Sequence, residues 1–238
     1  MSALLEIKGL YGGYEKGVNI LQSIDLTVEQ GEAVGIIGLN GSGKSTLGKA
    51  VMNLLPYRRG KILFDGQHIE DKTTHELAQM GMSMMHQGGP VFPNLSVWEN
   101  LQLAARKSQF SIIYSHLSEV VPLLQQPAKE LQRLMADKLS GGQRHQFSLA
   151  MILATKPRLV ILDEPSAGLS PKAVEDMYIM LNSIKEKLNV TIILIEQNIA
   201  KAVDFCERCF LQEQGELVED FKKKNIMDVE KILFNLKT

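Results

Sequence analysis

Residues Gly38-Leu39-Asn40-Gly41-Ser42-Gly43-Lys44-Ser45 spell G-x-x-x-x-G-K-[ST], set between an apolar run, Ala33-Val34-Gly35-Ile36-Ile37, and a helix-like stretch that begins at Thr46. This is a phosphate-binding loop in the strand-before, helix-after setting that its mechanism requires. The glycines let the chain curl until successive backbone N–H groups converge on phosphate oxygens, and the helix that follows adds its positive dipole end to the same anion. Gly38, Asn40, Gly41, Ser42, Gly43 and Thr46 form the cradle. Lys44 reaches the β- and γ-phosphates as a point charge, and the Ser45 hydroxyl suits one coordination position on Mg²⁺.

Outward from this loop, strand-like runs alternate with helix-like ones, which indicates an α/β protein with crossover connections and a largely parallel central sheet. The opening differs: Leu4 to Lys8 and Ile20 to Val28 alternate apolar with polar, as half-exposed antiparallel strands do. Lys61 to Gly66 reads as another strand ending in a turn. From Ser96 to about Thr155 the strand signals stop and helical spacing takes over, as at Val97, Leu101, Ala104 and Ala105. The expected organisation is one domain over 1–238, with an α/β core over 1–90 and 156–238 and an inserted helical lobe over 91–155. Beyond the lobe, Leu159 to Leu162 and Thr191 to Ile195 read as buried strands. A long helix is expected from Pro171 to about Leu188, another near Ile199 to Cys206, and a strand pair around Gln212 to Glu216.

The bulk composition excludes several classes. With 238 residues and 45% hydrophobic content the chain can bury a substantial core, and its net charge of −1 gives no general cationic field to draw it to nucleic acid. No apolar run approaches the ~20 residues that span a bilayer, and the N-terminus lacks a basic region and a long apolar stretch, so a cytoplasmic location is expected. Cys206 and Cys209 form a solitary C-x-x-C pair, read as two reduced, partly buried thiols.

Two further motifs carry chemistry. Leu159-Val160-Ile161-Leu162-Asp163-Glu164 ends a buried strand in two carboxylates: Asp163 is the natural partner of Mg²⁺, and Glu164 is the candidate base for water attacking the γ-phosphate. Leu139-Ser140-Gly141-Gly142-Gln143 opens a helix-like stretch and forms a second anion-binding nest. One loop already cradles one triphosphate, so this second element makes most sense facing a nucleotide held by another copy or a partner.

With these motifs in this order the chain resembles the ATP-binding cassette family, the motor subunits of ABC transporters. The resemblance implies a P-loop NTPase (RecA-like) core with an antiparallel β subdomain and an inserted α-helical subdomain, ATP and Mg²⁺ as ligands, and ATPase activity. It implies that Tyr14 stacks on adenine, that Gln87 touches Mg²⁺ and senses the membrane partner, and that Ser140, Gly141, Gly142 and Gln143 are the signature motif. Asp163 and Glu164 match the metal-binding acid and the catalytic base, and Ser166 to Ser170 the loop that crosses to the other subunit. The implied partners are integral membrane transporter subunits and a second cassette, identical or different, bound head to tail at the cytoplasmic face of the membrane. No nucleic acid is implied.

Three departures stand out. Gln197 occupies the place of the family's usual γ-phosphate-contacting histidine; an amide still donates a hydrogen bond but cannot become cationic. Ser170 stands where many members carry aspartate, and Ser108 to Asp137 aligns with nothing in the family pattern. The run Ile195-Glu196-Gln197-Asn198, together with Gly168-Leu169-Ser170-Pro171 and Val91 to Leu101, looks like the ATPases of branched-chain amino acid uptake systems and related amide importers. The alternatives are the motor of a lipid or lipopolysaccharide exporter and a weakly hydrolysing, nucleotide-dependent binding module.

Overall fold

In the computed structural model residues 3–86, 89, 91–105 and 109–222 are described. Contacts divide the chain into two compact units, one formed by Met1–Met84, Arg158–Glu164 and Val190–Thr238, the other by Met85–Pro157 and Pro165–Asn189.

The first unit contains two sheets. Strands β1 (Ala3–Gly13), β2 (Leu21–Glu29), β4 (Tyr57–Phe64) and β5 (Gln67–His68) form an antiparallel sheet in the order β2-β1-β4-β5. Register places Leu5 opposite Val28 and Ile7 opposite Leu26, so the alternation expected from sequence turns one apolar face inward. The strand ending at Phe64 turns back through Asp65 and Gly66, both at positive φ, into β5.

The second sheet has the order β10-β9-β3-β8-β7-β6. Its strands are β3 (Ala33–Ile37), β6 (Met82–Met85), β7 (Leu159–Asp163), β8 (Thr191–Glu196), β9 (Arg208–Glu213) and β10 (Glu216–Lys222). β3 runs parallel to β8 and β9, β7 runs parallel to β8, and the β9–β10 hairpin is antiparallel. Every residue of β3 and β8 is buried, the signature of strands covered on both faces. Helix α1 (Lys44–Val51) follows β3 and packs so closely on the sheet that a Cβ at Gly48 would sit 3.0 Å from Ile195 Cδ1. Leu47, Ala50 and Val51 of α1 join Val34, Ile36, Ile161, Ile193 and Ile195 with Leu5, Ile7 and Phe64 in one apolar core. Helices α2 (Thr74–Gln79) and α8 (Ile199–Phe205) complete the unit.

The second unit is helical: α3 (Val97–Ala104), α4 (Phe110–Ser118), α5 (Ala128–Arg133), α6 (Gly141–Leu153) and α7 (Pro171–Leu188). Contacts thus group α7 with the helices of 91–155. Helices α3 and α6 start with capping boxes, Ser96 with Glu99 and Ser140 with Gln143. α7 starts at Pro171 after the cap Ser170 and ends at Asn189 in the left-handed region. Residues 109–138 hold α4, α5 and the 3₁₀ turns Pro122–Gln125 and Ala136–Lys138, with Trp98 edge-on to Phe110 and Tyr114 at 4.9 and 5.1 Å between ring centroids. Among the described residues no helix is long and apolar enough to cross a membrane.

Candidate active site

The loop between β3 and α1 takes the shape its glycines permit. Gly38, Gly41 and Gly43 all have positive φ. At Gly38 the approach is also close, since a Cβ there would stand 2.3 Å from the Gln212 carbonyl oxygen. Lys44, only 4% exposed, folds its Nζ back to donate to Gly38 O and Leu39 O, each at 2.9 Å. Burial lowers the Lys44 pKa from its ordinary value, and the carboxylates of Glu164, Asp163 and Glu196 partly oppose that shift. One ammonium among three acids leaves this corner net negative, a setting that suits a divalent cation arriving with the phosphates.

Those acids come from strand ends. Asp163 closes β7 opposite Ile195 of β8, and its Oδ1 accepts from Ser45 Oγ at 2.8 Å. A hydroxyl and a carboxylate so placed are hard oxygen donors that suit Mg²⁺ completed by water and phosphate oxygens. Glu164 follows at φ 50, an unusual backbone state for a non-glycine residue, held by its N–H donating to Ile195 O at 2.9 Å. Its Oε1 accepts from Gln197 Nε2 at 2.5 Å. The structure thus brings Lys44, Ser45, Asp163, Glu164 and Gln197 together within one unit.

Sequence reading missed Glu196. It is 2% exposed and its Oε2 accepts from the N–H groups of Gln197 and Asn198, at 2.9 and 3.2 Å, which fixes the turn that presents Gln197. The available signal was local and the same as for Asp163: a carboxylate closing an apolar strand.

Tyr14 is 44% exposed, with its hydroxyl accepting from Lys49 Nζ at 3.1 Å. The ring of Tyr11 is instead covered by the Arg59 guanidinium, 4.2 Å from its centroid. Gln87 lies outside the described residues. Cys206 and Cys209 are buried thiols beside Gly35, not joined in a disulfide.

The second anion cradle is in the helical unit. Ser140 Oγ accepts from Gln143 N at 3.3 Å, and Gln143 Oε1 accepts from Ser140 N at 3.0 Å. Both side chains are therefore engaged in shaping the start of α6, and first-turn N–H groups, such as those of Gly141 and Gly142, have no carbonyl partner within a helix and suit an anion. They border a cleft of about 420 Å³ also lined by Gly168, Leu169 and Ser170. Ser170 Oγ accepts from Ala173 N at 3.4 Å, so serine here does the capping work that aspartate does equally well. His145 contributes to packing through Nδ1, 3.0 Å from Pro165 O.

Fold and loop together are those of a P-loop nucleoside triphosphatase. The model of the ABC transporter family matches residues 21–167, and the chain belongs to that family as an ATP-binding cassette ATPase. The probable branched-chain amino acid transport ATP-binding protein LivF of Archaeoglobus fulgidus is 30% identical over 231 residues, covering 96% of each chain. The lipopolysaccharide export system ATP-binding protein LptB of Escherichia coli K12 is 30% identical over 217 residues, covering 91% of this chain and 89% of its own. Among solved structures, the ADP conformation of an ATP-binding cassette of an ABC transporter superposes with a TM-score of 0.86 at 22% identity, covering 100% and 99% of the two chains.

Proposed function

We propose that this chain is an ABC transporter motor that binds ATP on 38–46 and hydrolyses it with Glu164, in a head-to-tail pair with a second cassette. The observation that carries the reading is the convergence of Lys44, the Ser45–Asp163 pair and the Glu164–Gln197 pair. Lys44 exchanges its two loop carbonyls for the β- and γ-phosphates. Glu164 takes a proton from the attacking water, while Gln197 holds the carboxylate and offers its amide to the γ-phosphate. Ser45, Asp163 and Gln87 would hold Mg²⁺, which when bound offsets charge on the transferring phosphoryl group. Tyr14 stacks on adenine. Ser140 to Gln143 close on the γ-phosphate of the facing cassette.

The helical lobe over 91–155 transmits closure to integral membrane subunits at the cytoplasmic face. Asn100, fully buried, binds the backbone of Phe92 on both sides, at 2.8 and 2.9 Å, and so presents the 53% exposed Phe92 ring as a contact for such a subunit. For cargo we favour branched-chain amino acids or related amides, supported by the fuller coverage of the LivF relative; lipopolysaccharide export is the second reading, supported by equal identity to LptB. Light scattering on Glu164→Gln tests the pairing: with Mg²⁺ and ATP the mass should double, and a persistent monomer that still binds ATP would refute self-pairing and require a different cassette. Reconstitution with co-purified membrane subunits, read as leucine uptake against lipopolysaccharide release, separates the two cargoes.

A further inference from the structure

We infer that Gln212 is a positioning residue of the phosphate loop, its carboxamide hydrogen-bonding the Ser42 hydroxyl and a loop carbonyl when a triphosphate fills the cradle. The inference rests on the nucleotide-binding role given above to 38–46.

Gln212 lies in β9 and is fully buried, yet neither its Nε2 nor its Oε1 has a hydrogen-bond partner. Ser42 Oγ, also buried, has none either. Their placement relative to the loop is close: Gln212 Nε2 lies 3.0 Å from where a Cβ on Gly43 would stand, and Ser42 Oγ 3.0 Å from where one on Gly38 would stand. The Gln212 backbone oxygen is 2.3 Å from that same Gly38 position, and Gly215 N donates to Ser42 O at 3.0 Å. The β9–β10 hairpin is therefore the floor on which the loop rests.

Buried amides almost always find partners, and one left without any is a specific feature to be accounted for. Gly43 of the loop lies beside this amide. When N–H groups of a loop turn inward to phosphate, the carbonyls of the same peptide planes turn outward, here towards the floor. A carboxamide can meet both consequences at once, donating through Nε2 to a carbonyl and accepting through Oε1 from the Ser42 hydroxyl. The empty loop then carries unsatisfied groups that the loaded loop satisfies, so part of the affinity for nucleotide comes from beneath the cradle.

The test is calorimetric titration of Mg²⁺-ATP into the whole chain, with thermal midpoints of the nucleotide-free protein. Binding by the wild type is read first, and its failure would refute the nucleotide-binding role itself. Gln212→Met, of similar volume, should weaken ATP binding about tenfold, equivalent to about 1.4 kcal/mol, while the nucleotide-free midpoint stays level or rises. Gln212→Leu serves as the second variant if the first does not fold. Combined with Ser42→Ala, the loss should fall short of the product of the two single losses, because the two variants share one interaction. Unchanged ATP affinity in Gln212→Met would overturn the inference. So would losses that multiply in the double variant, or a lowered nucleotide-free midpoint with affinity preserved.

Discussion

Replacing Glu164 by Gln isolates the chemical step from the architecture that supports it. The backbone at Glu164 is fixed by the bond from its N–H to Ile195 O and does not depend on the side chain. Glutamine matches glutamate in shape, and its amide can still face the Gln197 amide that now sits 2.5 Å from the Glu164 carboxylate. What disappears is the negative charge and the basicity. A positioned general base contributes roughly 10²- to 10⁴-fold, or about 2.7–5.5 kcal/mol of barrier. Removing the charge also removes one of the carboxylates beside Lys44, which lessens repulsion towards an incoming triphosphate. Steady-state phosphate release should therefore fall by roughly 10²-fold or more, while ATP affinity measured by titration holds or improves. A variant that retained more than about a tenth of wild-type turnover would show that the proton goes elsewhere. A variant that lost affinity in step with turnover would show that Glu164 binds rather than reacts.

Two other perturbations separate the roles of neighbouring residues. Gln197→Ala removes an exposed hydrogen bond to a carboxylate, about 1 kcal/mol after allowance for solvent, so turnover should drop about fivefold with little change in thermal midpoint; unaltered turnover would remove Gln197 from the site. The Ser96 hydroxyl, and then the Ser96 N–H, hold the Glu99 carboxyl below its ordinary value near 4.5, and Thr73 does the same for Glu76. A carboxylate with a lowered folded-state pKa stabilises the fold above its unfolded value and loses that contribution as pH falls through the folded value. Thermal midpoints should accordingly decline below about pH 4.5, and Glu99→Gln should flatten part of that decline; identical acid profiles for variant and wild type would contradict it.

What the sequence made legible was local. The phosphate loop is contiguous, and its spacing alone gives the curl, the lysine and the metal-type serine. Helix α7 was legible at both ends because Ser170-Pro171 and Asn189 are boundary residues of known geometry. The segment from Ser108 to Asp137 was not, because α4 and α5 begin without a side-chain cap and α5 has only six residues, too few to show a period. Gln212 was hidden for another reason. Its role arises where parallel register brings β9 beside β3 and the loop, a juxtaposition of residues distant in the chain. No motif spacing encodes it.

Equilibrium binding of Mg²⁺-ATP to the purified wild-type chain, with Lys44→Ala in parallel, tests the nucleotide site most directly. Lys44 is the buried cation on the loop, and without it the phosphates meet Asp163, Glu164 and Glu196 uncompensated. One saturable site per chain, weakened about 100-fold or more in the variant, is the predicted result. A wild type that binds no ATP, or a Lys44→Ala variant that binds it equally well, would contradict the placement of the triphosphate on this loop.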